Sequence, residues 1–281
     1  MPFSYCLNTS TIRTEGLSIL DAIDTAADAG WDGIEPWVQE LDDWVAGGGT
    51  LQQVRDRARE RDLAIVNLIG FPEWAVPEDD RRARGLEEAA RCFEIARELG
   101  CPHVAAPPSG IHDRRVELAP VVGRYAALVD LAARFGVTPL LEFWGIAQTL
   151  GSTGQILRVA ADCGRPGVQM LTDVFHMYKG SGHHFGLEHF GIGRLGLVHV
   201  NDYPAAPGRS EVTDADRVYP GDGLAPWPRI VATLESIGYD GMLSLELFNE
   251  SYRARGPAVV AREGLEKLKR CVEGQGGREG G

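Results

Sequence analysis

Residues 197–202 read Leu-Val-His-Val-Asn-Asp and residues 243–248 read Leu-Ser-Leu-Glu-Leu-Phe, with a polar loop and a helix between them. Each apolar strand delivers one metal-competent side chain near its end, His199 from the first and Glu246 from the second. An ionisable group in a buried strand is costly unless it is paired or ligated. Two strands upstream repeat the arrangement, with Glu142 closing Leu140-Leu141-Glu142 and Asp173 closing Met170-Leu171-Thr172-Asp173. Four strands therefore end in a carboxylate, a carboxylate, an imidazole and a carboxylate.

The same unit, an amphipathic helix, a glycine stop, a short apolar strand and a polar end, extends back to the N-terminus. Strands are expected from Phe3–Leu7 through Gly33–Pro36 and Leu63–Leu68 to an eighth at Met242–Leu247. Glycines 30, 100, 136, 164 and 238 stand where helices stop, a position that favours the left-handed conformation. Strands alternating with helices imply parallel pairing. Eight such units with apolar strands imply a single (β/α)8 barrel, a TIM barrel, over residues 1–272. The alternative, an open doubly wound sheet, would carry a glycine-rich phosphate loop after its first strand, and Asn8-Thr9-Ser10-Thr11 is not one. Residues 273–281 are glycine-rich and polar and are expected to be a disordered tail.

Composition narrows the function classes. The net charge of -12, with 28 scattered basic residues, argues against nucleic acid and anionic membranes, which need clustered Lys and Arg. No apolar run approaches the roughly 18 residues of a membrane span. The N-terminus lacks a signal-peptide layout, so a cytoplasmic location is expected, and a homo-oligomer is left open. Cys6, Cys92, Cys101, Cys163 and Cys271 form no CxxC pair and read as free thiols. Gly191-Ile192-Gly193-Arg194-Leu195-Gly196 matches G-x-G-x-x-G. It follows a helix and precedes a strand, the reverse of the dinucleotide-binding context.

In such a barrel the C-terminal strand ends face the active site. Glu142, Asp173, His199 and Glu246 would converge there as an oxygen-rich ligand set. That set suits one divalent ion, Mn2+ first, with Co2+, Mg2+ or Zn2+ as alternatives. The competing reading is polar strand ends hydrogen-bonded into loops. A metal held by adjacent carbonyl and hydroxyl oxygens acidifies the C–H between them, and two carboxylates can then take and return the proton. His176 and Arg217 are candidate substrate contacts, the rival role for Arg217 being an ion pair with Asp214 or Asp222. Glu35, Trp37 and Trp144 are candidate pocket-wall residues, with packing as the rival role. His103 and His112 read as structural, and His183-His184 as a solvated loop.

The segment Thr213-Asp214-Ala215-Asp216-Arg217-Val218-Tyr219-Pro220-Gly221-Asp222-Gly223 lies between His199-Val200-Asn201-Asp202 and Leu245-Glu246-Leu247-Phe248. Together with Leu141-Glu142-Phe143 and Asp173-Val174-Phe175-His176, it resembles the xylose isomerase-like sugar isomerase/epimerase superfamily, above all its inosose isomerases. The resemblance implies that Glu142, Asp173, His199 and Glu246 bind one divalent metal and that Glu142 and Glu246 shuttle protons. It further implies that His176 and Arg217 hold substrate, and Asp202 falls in the same matched segment as a candidate substrate contact. The expected activity is isomerisation or epimerisation of an unphosphorylated polyol ketone, an inosose or a ketose. The alternatives are a lyase working on the same enediolate, by inosose dehydration or cleavage of a 3-oxo-glycoside, and a non-catalytic sugar-binding subunit.

Overall fold

The computed structural model describes residues 3–274. Its strands are β1 (Ser4–Asn8), β2 (Gly33–Glu35), β3 (Ala64–Ile65), β4 (His103–Ala106), β5 (Thr138–Glu142), β6 (Met170–Asp173), β7 (Leu195–Val200) and β8 (Met242–Leu245). The helices are α1 (Ile19–Ala29), α2 (Val38–Ala46), α3 (Leu51–Glu60), α4 (Asp79–Leu99), α5 (Leu118–Ala133), α6 (Thr153–Asp162), α7 (Val174–Ser181), α8 (Trp227–Ser236), α9 (Glu250–Arg253) and α10 (Pro257–Glu273).

The strands form one sheet in the order β3-β2-β1-β8-β7-β6-β5-β4, every neighbouring pair parallel. Its edges meet just beyond β3, where Leu68 bridges Val104 in parallel. The Leu68 amide donates to the His103 carbonyl at 3.1 Å, and the Ala105 amide donates to the Leu68 carbonyl at 2.9 Å. The sheet is thereby closed into the expected barrel. Leu63–Leu68 does not pair as one regular strand because its backbone changes partner, from β2 at Ile65 to β4 at Leu68.

Sequence and packing agree along α1. Ile19, Ala22, Ile23 and Ala26 recur at helical spacing and are all buried. Ser18 caps the helix in a reciprocal box with Asp21, and Gly30 ends it at φ 88°. Inside the barrel, Cys6, Val66, Ala105, Leu140, Leu171 and Leu197 form a small apolar plug that seals the lumen below the strand ends. The larger core lies between strands and helices.

Helices α2, α7 and α9 depart from the sequence expectation. Helix α2 is an addition to it, although Val38 and Leu41 supply its buried face and Glu40 its first-turn acid. Helix α7 begins directly after Asp173, whose side chain caps it by accepting from the His176 amide at 2.9 Å. The tail expected from 273 lies, from 275 on, outside the described residues. All five cysteines are free thiols. Among the described residues no helix is long and apolar enough to cross a membrane.

Candidate active site

The C-terminal ends of the strands surround a cavity of about 320 Å³, within the range of small-molecule sites. Glu142, His176, His199, Asp214, Arg217 and Glu246 form its polar floor. Asp173, His199 and Glu246 each bring one ligand-competent atom to within 4.8 Å of the other two, and all three are buried. Glu142, the fourth expected ligand, lines the same cavity but is not part of that tight cluster.

His199 decides what the cluster can do. Its Nε2 lies 3.0 Å from both oxygens of Glu35, which fixes the ring. Its Nδ1 faces Glu246 at 3.3 Å and Asp173 at 3.8 Å, and it has no hydrogen-bond partner among the described residues. With Nε2–H donated to Glu35, the Nδ1 lone pair points at two carboxylates. That contact is repulsive unless a proton or a metal cation lies between them. The carboxylate–histidine pair is also how proteins commonly orient an imidazole toward a metal. The donor set therefore fits a divalent cation, with Asp173, His199 and Glu246 as its core and Glu142 within the same cavity.

Electrostatics lead to the same conclusion. Glu35, Glu142, Asp173 and Glu246 are buried carboxylates, against Arg217 and at most a protonated His199 as buried cations. Burial pushes the Glu142 carboxyl up to about 8, and the charges of Glu246, Asp173 and Glu35 add to the push while His199 opposes it. Burial alone would lower His199, but the carboxylates of Glu246 and Glu35 hold it well above the ordinary imidazole value. Burial would likewise raise Asp173, yet the Arg217 charge leaves it below its usual range. A metal ligand must give up its proton. We therefore expect Mn2+ addition at pH 7 to release at least one proton per site, seen as a buffer-dependent binding enthalpy. An enthalpy equal in buffers of different ionisation heat would contradict this charge distribution.

Arg217 is fully buried and makes more ion pairs than its sequence context suggests. One guanidinium nitrogen donates to Asp173 at 2.9 Å and to Glu246 at 2.8 Å. The other reaches Asp214 and lies 3.3 Å from His176 Nε2. Phe175 and Phe248 sandwich the group at 4.7 and 5.1 Å. Of the two ion pairs weighed for it, the one with Asp214 is present, while Asp222 pairs with Lys267. Burial lowers the basicity of His176, so at neutral pH it faces the cavity as an uncharged ring.

The remaining candidates separate cleanly. Trp37 and Trp144 line the cavity wall. Glu35 does not: it is fully buried behind His199 and accepts from Asn67 (2.7 Å), Asn8 (2.8 Å) and Ser244 (2.7 Å). It is a positioning residue. Asp202 also lies off the cavity, accepting from the amides of Tyr203, Gly221 and Ala225 and from the Trp227 indole. Its apparent site character comes from shaping the 203–225 loop that carries Arg217. His103 is structural as expected, bound to the Val66 carbonyl and Gln169, and His112 packs on Trp144. His183 is exposed, but His184 is buried against the Val174 carbonyl and Tyr203, so only half of that pair is a solvated loop. Sequence reasoning misses Asn8, Asn67, Asn201 and Ser244, because amides and hydroxyls at strand positions carry no spacing signal.

Comparison with known proteins places this geometry in a family. A family described as Xylose isomerase-like TIM barrel matches residues 23–271. A 3-dehydroshikimate dehydratase of Pseudomonas putida is 27% identical over 267 residues, covering 92% of this chain and 41% of that protein. The chain thus spans well under half the length of that relative. An inosose isomerase of Halalkalibacterium halodurans is 29% identical over 198 residues, 68% of this chain and 67% of that protein. Among solved structures, the crystal structure of IOLI protein with a binding zinc atom aligns with a TM-score of 0.88 at 20% identity. That alignment covers 97% of this chain and 99% of the other. At that identity it speaks to the fold alone.

Proposed function

This chain belongs to the xylose isomerase-like TIM-barrel family, and we propose that it is a divalent-metal-dependent isomerase or epimerase of a polyhydroxylated ketone, an inosose or a ketose. The observation that carries the reading is the buried, unpartnered His199 Nδ1 aimed between Asp173 and Glu246. The relatives support an enzyme of this kind, being isomerases, epimerases and dehydratases. Mn2+ is our first choice for a set dominated by carboxylates.

Glu142, Asp173, His199 and Glu246 would hold the ion, which when bound supplies Lewis acidity toward adjacent carbonyl and hydroxyl oxygens. The chain's own side chains then move the proton. Glu142 and Glu246 both line the cavity. One carboxylate removes the proton between the two oxygens, and the other, entering the step protonated, delivers a proton to the neighbouring carbon or to the opposite face. Return to the neighbouring carbon is carbonyl migration, and return from the opposite face is epimerisation. Arg217 holds Asp173 and Glu246 in place. Among the described residues the cavity lining contains no lysine and one arginine, so we expect unphosphorylated substrates.

A lyase is the second reading, favoured by the dehydratase relative that covers 92% of this chain. The same proton abstraction can expel a substituent β to the carbonyl. One experiment separates the readings: incubation with Mn2+ in deuterated solvent across inososes, ketoses and 3-oxo-sugars. Isomerase or epimerase action incorporates deuterium at a substrate C–H and otherwise conserves composition. Elimination lowers the product mass by the expelled group. No exchange on any of these substrates would count against both readings.

A further inference from the structure

We infer that the mouth of this cavity is a binding subsite for a planar apolar group, an aromatic ring attached to the polyol that the floor receives. The inference deepens the proposed function and rests on it for placing the reacting ring on the carboxylate floor. Three strands end in the same triplet: Glu35-Pro36-Trp37, Glu142-Phe143-Trp144 and Glu246-Leu247-Phe248. In extended chain, residues two apart point to the same side, about 7 Å further along. Each triplet therefore puts a carboxylate in the floor or just behind it and an aromatic ring one layer above.

These rings meet across the mouth. Phe248 lies 6.2 Å from Trp37, Trp37 lies 5.1 Å from Phe71, and Phe71 lies 6.0 Å from Trp144, centroid to centroid. Ile69 and Ile146 complete the wall. The result is a collar, not a single stacking platform. A bare polyol presents hydroxyls around its whole edge, and those facing the collar would lose water for little in return. The Trp37 indole is already committed, donating to Asn8 at 3.0 Å. Phe71 and Ile146 remain 40% and 51% exposed at the outer edge, large apolar surfaces continuous with a polar floor. A ligand with oxygens at one end and an aryl group at the other covers both.

The test uses stable ligands, so it does not depend on turnover. Phenyl β-D-glucopyranoside and methyl β-D-glucopyranoside are titrated calorimetrically into the Mn2+-loaded protein. The phenyl compound should bind roughly ten-fold or more tightly, as expected for taking an aromatic face out of water. Phe71→Ser and Ile146→Ser alter exposed positions and should each bring the phenyl-to-methyl ratio down several-fold toward one. Equal affinity for the two glycosides, or no measurable binding of the phenyl compound at 10 mM (on the order of the weakest useful affinities), overturns the subsite. A variant that changes the sedimenting mass without changing the ratio also overturns it, because the rim would then cover a second copy of the chain. Preference for the phenyl compound with no deuterium exchange on any ketone would keep the subsite and remove the proton-transfer reading.

Discussion

Glu142→Gln and Glu246→Gln proteins should retain their metal and turn over about 10²–10⁴-fold more slowly than the parent, the range that a general base contributes. The amide keeps an oxygen donor and nearly the same shape but cannot accept the proton. Glu142 is the cleaner case. It lies outside the tight Asp173–His199–Glu246 cluster, and its carboxyl is raised to about 8, first by burial. In the metal-free protein such a group carries a proton near neutral pH, and as a metal ligand it would give that proton up and serve as the base. Asp173→Ala and His199→Ala should instead act through metal affinity, with part of the activity restored by excess Mn2+. Metal content by atomic absorption, measured alongside kcat, separates the two classes. A Gln variant with full metal and near-parental turnover would sink the division of labour, as would a parent indifferent to exhaustive chelation.

The legible parts of this protein are those that repeat. Eight strand–helix units spell the barrel because the strands are largely apolar and five of the helices are followed by a glycine, at 30, 100, 136, 164 and 238. The ligand set is legible for a related reason: a carboxylate or imidazole closing an apolar strand is conspicuous against its neighbours. What stays hidden depends on the barrel closing. Asn8, Asn67 and Ser244 come from β1, the segment after β3, and β8, and they meet only at Glu35. In sequence Glu35 reads as a wall residue because it ends a strand like the others. Its strand places it behind His199, where both oxygens are used. Asp202 misleads in the same way, since a strand-end carboxylate that binds loop amides looks no different in sequence from one that binds substrate. The Glu-x-aromatic triplets are in plain view but gain meaning only once three strand ends are known to share a mouth.

Arg217→Met should destabilise the metal-free protein by about 3–5 kcal/mol, the cost of breaking a buried ion pair by removing one partner. Methionine retains much of the apolar stem between Phe175 and Phe248, so the loss reports the charge. The guanidinium contacts Asp173, Glu246 and Asp214. Burial tends to raise both aspartates, and the Arg217 charge reverses it, holding each below its usual value. A carboxyl with a depressed folded value contributes stability above its unfolded value, near 4, and loses it as pH falls through the folded value. The parent therefore holds this contribution at neutral pH and the variant does not. The gap between their chemical denaturation midpoints should be wide at pH 7, should begin to narrow above about pH 4 as the variant's buried carboxyls take up protons, and should narrow further below about 4 as the parent's do. Mn2+ should narrow the gap at pH 7 by replacing the missing positive charge beside Asp173 and Glu246. A gap of under about 1 kcal/mol at pH 7, or one that stays constant across this pH range, would mean that Arg217 is only packed there. Its place in the site would then have to be argued from substrate binding alone.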